Sequence, residues 1–310
     1  MSRPAFVFPG QGSQKIGMGK DFYDRSALAR EVFALADRAL GFALSEICFN
    51  GPEEKLRMTA ITQPALLTVS TIAFRLLEIE PVLAAGHSLG EYSALVASGS
   101  LEFEDAVRLV HKRGAYMQEA VPLGAGAMAA VLGATYDEVK AAVEKVTGGV
   151  VEVANWNSDD QVVIAGQAGA VDQALSLLAG SRSVKLPVSA PFHTSLMKPA
   201  EDKLALDLDG VEFRDLKFPI ITNVDARRIR LGAEARDALK RQVSQSVLWQ
   251  STMALLREES VDAVVEVGPG KVLSGLFRRA TRDWPKAPLL LGVEDGETLE
   301  KSRSALSGLL

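Results

Sequence analysis

One cysteine and three histidines are the whole supply of thiol and imidazole metal ligands in this sequence. Cys48 has no partner for an internal disulfide and no companions for a zinc site, and His87, His111 and His193 leave little for any other metal centre. No metal or cofactor is expected. An excess of positive charge is also missing: 34 basic residues stand against 39 acidic ones, a net of −5, which argues against a general nucleic-acid binder. Long hydrophobic runs are scarce, and none approaches the ~20 residues that cross a bilayer. Met1-Ser2-Arg3-Pro4 leads straight into a strand, without a signal-peptide pattern. The expectation is a soluble cytoplasmic monomer with no nucleic-acid or membrane partner. The 310 residues, 47% hydrophobic and 24% charged, suffice for one large domain, with or without a small satellite.

The most informative stretch is Gly86-His87-Ser88-Leu89-Gly90-Glu91. The apolar run Val82-Leu83-Ala84-Ala85 leads into it as a short buried strand, and Tyr92 to Ala97 follows as a helix stopped by Gly99. Strand, G-x-S-x-G and helix are the context of a nucleophile elbow. Glycines flank the serine because bulkier neighbours would clash in so tight a turn, and the next N–H, that of Leu89, is free for an oxyanion. The five-residue pattern alone fits an idle serine in a turn; with its strand and helix it marks Ser88 as a nucleophile.

In chain order, residues 5–8 form a buried strand that stops at Pro9-Gly10-Gln11-Gly12-Ser13-Gln14. That loop lacks the ending of a P-loop, and Gly10-x-Gly12-x-x-Lys15 breaks the dinucleotide fingerprint, so alone it reads as a turn. Periodicity predicts a helix over 26–40. Thr62 is expected to cap a helix with Pro64 in its first turn, running to Leu77. Strand, helices, strand and helix in this order suggest a parallel sheet covered on both faces.

The rhythm then changes. A strand over 127–132, a helix over 136–146, strands over 150–154 and 161–165 bracketing Asn157-Ser158-Asp159-Asp160, a helix over 170–178 and a strand over 183–188 make a βαββαβ, ferredoxin-like unit. The fold expected is therefore α/β: a large hydrolase-like domain with a parallel sheet, residues 1–125 and 189–310, and an inserted small subdomain, residues 126–188. Beyond it the pattern gives helices over 198–206, 233–245, 249–257 and 272–279, with strands over 217–222 and 263–267.

A serine nucleophile needs a base. The elbow turn aims His87 elsewhere, and His111 is expected on the solvated side of its helix. His193, in the loop Ala190-Pro191-Phe192-His193-Thr194-Ser195, can swing toward the large domain and is the candidate general base and acid. Arg113 falls on the same helical stripe as Ala106, Leu109, Val110, Met117 and Ala120. A guanidinium aimed at a core needs an anion, either a carboxylate of the chain or one brought by a substrate, unless its stem merely snorkels to water.

Gly10-Gln11-Gly12-Ser13-Gln14, the elbow, Arg113 with Met117-Gln118-Glu119-Ala120, Ala190-Pro191-Phe192-His193 and Gly268-Pro269-Gly270-Lys271 together resemble the malonyl-CoA:acyl carrier protein transacylases, in order and spacing over nearly the whole chain. The resemblance implies a malonyl ester on Ser88, proton transfer by His193 and an oxyanion hole from the Gln11 and Leu89 amides. It also implies that Arg113 binds the malonyl carboxylate and that Phe192 selects malonyl over methylmalonyl groups. Malonyl-CoA and a phosphopantetheinylated acyl carrier protein are the implied partners, and fatty-acid synthesis the implied setting, with a stand-alone polyketide acyltransferase as the alternative. Many relatives carry glutamine near Leu248, where the family orients the histidine with a main-chain carbonyl, so that role is expected of Leu248. Acyl carrier proteins are acidic, and Lys271, Arg278, Arg279 and Arg282 are the candidate docking patch, with a solvated helix end as the plain alternative.

The main rival is an α/β-hydrolase, such as a serine thioesterase, which shares G-x-S-x-G. That fold places its acid and then its histidine after the serine, toward the chain end, whereas no histidine follows His193. A carrier-docking module with a relic site would not need Ser88, His193 and Arg113 all intact.

Overall fold

The computed structural model of the chain describes residues 3–122, 124–188 and 190–309. Met1, Ser2, Leu123, Ser189 and Leu310 lie outside the described residues. In chain order the strands are β1 (Pro4–Phe8), β2 (Leu83–Gly86), β3 (Gly126–Leu132), β4 (Val151–Ser158), β5 (Gln161–Gln167), β6 (Arg182–Lys185), β7 (Ile220–Ile221), β8 (Arg228–Ile229), β9 (Ala263–Val267) and β10 (Leu289–Val293). They form two sheets, ordered β10-β9-β1-β2-β7-β8 and β4-β5-β3-β6.

The first sheet is parallel except for its β7–β8 edge. Ala5 of β1 pairs with Leu83 on one side and Val264 on the other. Every residue of β1, β2 and β9 is buried, which is why these strands read as unbroken apolar runs rather than alternating ones. The second sheet is antiparallel, with the helices Tyr136–Glu144 and Ala168–Leu177 packed on it, and its strand order is that of the ferredoxin-like unit. Val131, Val139, Val162, Ile164 and Val171 fill a core of its own. β4 runs on to Ser158, so Asn157 and Ser158, expected in a turn, lie in the strand, and only Asp159-Asp160 turn. The second sheet is tied to the segment before the helix Trp249–Glu258, where Trp156 N–H donates to Val247 O and Val247 N–H to Ala154 O, both at 2.9 Å.

The helix Thr59–Leu77 begins a turn earlier than the expected Thr62 cap, and the Thr62 hydroxyl instead donates to Leu56 O. Pro64, inside the helix, has no N–H to give the Ala60 carbonyl four residues back. His111 Nδ1 takes that carbonyl at 2.7 Å. This bond explains why His111 is half-buried against the Phe42 ring rather than solvated as expected. At 19 residues the helix is also long and apolar enough to cross a membrane, contrary to the sequence reading, but it lies in the core between the helices Leu89–Ala97 and Phe103–Glu119.

Candidate active site

β2 ends at Gly86, and the helix Leu89–Ala97 begins after only two intervening residues. A Cβ on Gly86 would stand 1.9 Å from the Gly90 carbonyl, and one on Gly90 would stand 2.0 Å from Phe8 O. Only glycine lets strand and helix approach this closely. Between them Ser88 takes φ 51° and ψ −105°, a left-handed backbone that costs a non-glycine residue about 1–3 kcal/mol. Its peptide is held from both sides. Ser88 N–H donates to Asn223 Oδ1 at 2.7 Å, and Ser88 O accepts from Gln242 Nε2 at 3.0 Å.

Ser88 Oγ lies 2.7 Å from His193 Nε2. His193 Nδ1 lies 2.8 Å from Gln242 O, and a carbonyl only accepts, so the proton sits on Nδ1 and Nε2 is left to accept from the serine. Burial, and then the field of Arg113, hold His193 down at about 3, so it is neutral near pH 7. The orienting carbonyl is not that of Leu248. Leu248 is the N-cap of the helix Trp249–Glu258, and its carbonyl is taken by the Thr252 N–H at 3.0 Å. Gln242 closes the helix Gly232–Gln242, where carbonyls lack partners within the helix. Among the described residues no carboxylate bonds His193 Nδ1, and the third position of a triad is taken by the Gln242 main-chain carbonyl.

Arg113 is 1% exposed. Nη1 donates to Gln63 Oε1 at 2.9 Å, and Nη2 to Gln242 Oε1 at 2.9 Å and Ser88 Oγ at 3.1 Å. The guanidinium lies 5.5 Å from the Tyr92 ring centre. Nε has no partner, and no carboxylate pairs with the group among the described residues. A buried cation held only by uncharged oxygens has its pKa lowered, chiefly by burial. Of the three readings open from sequence, the snorkelling stem falls, and so does a direct ion pair; the buried Glu91 stands one amide away, through Gln242, and its field acts on the guanidinium without touching it.

Ser88, His193, Arg113 and Gln63 line a cleft of about 460 Å³ together with Gln11, Leu89, Phe192, Asn155 and Asn157. Leu89 is the first residue of its helix, where N–H groups are unspent and the helix dipole is positive. Neither its N–H nor that of Gln11 donates to another group among the described residues. His87 Nε2 lies 2.8 Å from Asn157 Oδ1, with its ring 5.3 Å from that of Trp249. Of the basic patch, Lys271 is 3.4 Å from Glu294 and Arg279 is 3.7 Å from Asp160. Arg278 and Arg282 are exposed and have no ion pair among the described residues. Gln63, Asn223 and Gln242 escaped the sequence reading; the one signal available was an amide at the buried position 63 of an apolar helix.

A sequence model of the family described as acyl transferase domain matches residues 5–301. The malonyl CoA-acyl carrier protein transacylase of Bacillus subtilis is 44% identical over 308 residues, covering 97% of this chain and 96% of that protein. Its Escherichia coli namesake is 46% identical, covering 90% and 93%. Among solved structures, the Coxiella burnetii transacylase superposes with a TM-score of 0.95 at 40% identity, covering 98% of each chain. A malonyl-transacylase in complex with a type II polyketide-synthase acyl carrier protein has a TM-score of 0.93 at 42% identity, covering 98% of this chain and 100% of that one.

Proposed function

The chain belongs to the acyl transferase domain family, and we infer on that premise that it moves a malonyl group from malonyl-CoA to the phosphopantetheine thiol of an acyl carrier protein, supplying fatty-acid synthesis. The observation that carries the reading is the buried Arg113, bonded only to uncharged oxygens and to the nucleophile itself. It offers a carboxylate-binding fork beside the reacting oxygen.

The reaction runs in two halves. His193 Nε2 takes the Ser88 hydroxyl proton as Oγ attacks the thioester carbonyl. The oxyanion turns toward the Gln11 and Leu89 N–H groups; the C–S bond breaks, and the proton passes from His193 to the departing CoA thiolate. The carrier thiol then gives its proton to Nε2 and attacks the malonyl ester, and Ser88 leaves with that proton. Arg113 holds the malonyl carboxylate throughout, and Phe192, buried at the cleft, limits what stands at the α-carbon. Lys271, Arg278, Arg279 and Arg282 are proposed to meet the carrier, with Arg278 and Arg282 foremost because the other two already face carboxylates.

Residues 126–188 act in this reading as a subdomain that closes one wall of the cleft, and residues 1–125 and 189–310 as the catalytic body. One chain supplies nucleophile, base and arginine, in keeping with a monomer. The free, buried Cys48 fits a reducing, cytoplasmic setting. Mixing the protein with malonyl-CoA should release one equivalent of CoA thiol and add one malonyl group, mapped by peptide mass spectrometry to Ser88. A label on Cys48, or no label, defeats the reading.

A further inference from the structure

Glu91 lies one turn beyond Ser88, fully buried, and takes no part in the steps above. Its Oε2 accepts from Asn223 N–H at 3.0 Å and from Gln242 Nε2 at 2.7 Å. Those two residues hold the nucleophile: Asn223 Oδ1 accepts from Ser88 N–H at 2.7 Å, and Gln242 Nε2 donates to Ser88 O at 3.0 Å. Asn223 Nδ2 also ties down Gly86 O at 2.7 Å. Gln242 further accepts from Arg113 through Oε1 and from His193 through its main chain. A single oxygen thus stands behind the residues that fix the nucleophile, the base and the arginine.

We propose that Glu91 is a positioning residue for acyl transfer, whose Oε2 aligns the Asn223 and Gln242 amides that clamp the strained Ser88 peptide. The proposal rests on the malonyl-transfer reading above. Glu91 Oε1 has no partner among the described residues. Burial pushes the carboxyl up to about 7, against the Gln242 and Asn223 donors and the Arg113 field. A proton taken up belongs on the unpartnered Oε1, so Oε2 accepts in either state. The working property is the acceptor at that point and not the charge, and glutamine can supply it by turning its carbonyl toward the two donors.

Two variants, Glu91→Met and Glu91→Gln, are compared with wild type by single-turnover acylation with malonyl-CoA, alongside melting curves. Methionine keeps the unbranched shape and removes the acceptor. Its acylation rate should fall by about 10²-fold, the usual consequence of a misplaced reacting group, while half-saturating malonyl-CoA moves less than threefold. Glutamine should restore the rate to within about threefold of wild type, whatever its melting temperature. A Met variant that acylates at the wild-type rate overturns the proposal, and so does a folded Gln variant as slow as Met. Should Met fail to fold, Gln alone decides, with a rate below a tenth of wild type counting against. Loss of fold in both would place Glu91 in stability rather than positioning. Absence of malonyl-Ser88 in wild type would instead mark failure of the malonyl-transfer reading itself.

Discussion

Replacing Arg113 by alanine separates recognition of the malonyl carboxylate from the chemistry at Ser88. In the free protein the guanidinium is held by three uncharged oxygens at 2.9–3.1 Å, and none of them neutralises it. A malonyl carboxylate arriving in the cleft meets a desolvated cation. Removing one side of such a buried pair typically costs ~3–5 kcal/mol, and each ~1.4 kcal/mol is a factor of ten, so kcat/KM for malonyl-CoA should fall by roughly 10²–10³-fold or more. Acetyl-CoA brings a methyl in place of the carboxylate and loses no pair; its transfer should hold or improve, since the methyl no longer faces a bare charge. Lysine should rescue poorly, because one ammonium cannot reproduce the fork that reaches Gln63, Gln242 and Ser88 at once. The assay is thiol release from both acyl-CoAs by wild type, Arg113→Ala and Arg113→Lys, run below the lowest melting temperature of the three. Equal losses on both substrates would make Arg113 structural and move selectivity elsewhere, with Phe192 the next residue to test.

The pH profile should lack the usual histidine limb. Between the ordinary 6.5 and the folded value of about 3, the unfolded chain binds a proton at His193 and the folded chain does not. The His193 contribution to stability therefore falls as pH falls through that window, offset above the ordinary 4.5 of a glutamate by Glu91, whose carboxyl, raised to about 7, takes up a proton in the folded chain first. The acylation rate of the folded protein stays flat, and half the rate lost near pH 6.5 would contradict the burial argument. Charge reversal at the exposed Arg278 should raise the carrier KM more than reversal at Arg279, which Asp160 already faces at 3.7 Å; the effect should grow at low salt, and the CoA half-reaction should not move. Equal or absent changes in carrier KM would remove this helix end from the interface. Gly90→Ala, whose Cβ would stand 2.0 Å from Phe8 O, should lower the melting temperature by several degrees and abolish acylation, an overpacking cost of about 1–3 kcal/mol. Gly275→Ala, with open space around its Cβ, is the control and should melt no lower than wild type; two variants melting alike would refute the steric account of the elbow.

The elbow was legible because its requirement is local: Gly86 and Gly90 are spaced by the sterics of a single turn, and the flanking runs announce buried parallel strands. Arg113 was legible because a cation on an apolar stripe breaks a pattern. The edges of the first sheet were not. β8 is two residues long and β10 only partly buried, so neither carries a full hydrophobic signature. The mistaken choice of Leu248 has a plainer cause. A main-chain carbonyl has no side-chain signature, and its position is fixed only by where the helix Gly232–Gln242 ends in space. Asn223 and Gln242 escaped for a related reason: their contacts with residues 86, 88, 91 and 113 arise from tertiary assembly, and an amide in isolation looks like surface.

Ser88 and His193, the two groups that exchange the proton, are both non-glycine residues in the left-handed region, with φ of 51° and 61°. At about 1–3 kcal/mol each, such conformations persist only where neighbours over-determine them. Asn223 and Gln242 do so for Ser88, and for the base the Gln242 carbonyl on Nδ1 and the Thr194 hydroxyl on Pro191 O, at 2.7 Å, brace the ring and its loop. Thioester and oxyester lie close in energy, so the enzyme need not drive the transfer in one direction; it needs the serine, the imidazole and the arginine already aligned when either thioester arrives. A nucleophile and base at 2.7 Å, in strained backbone fixed by uncharged amides, meet that need before substrate binds. The strain is set during folding, outside the catalytic cycle, and turnover leaves it in place.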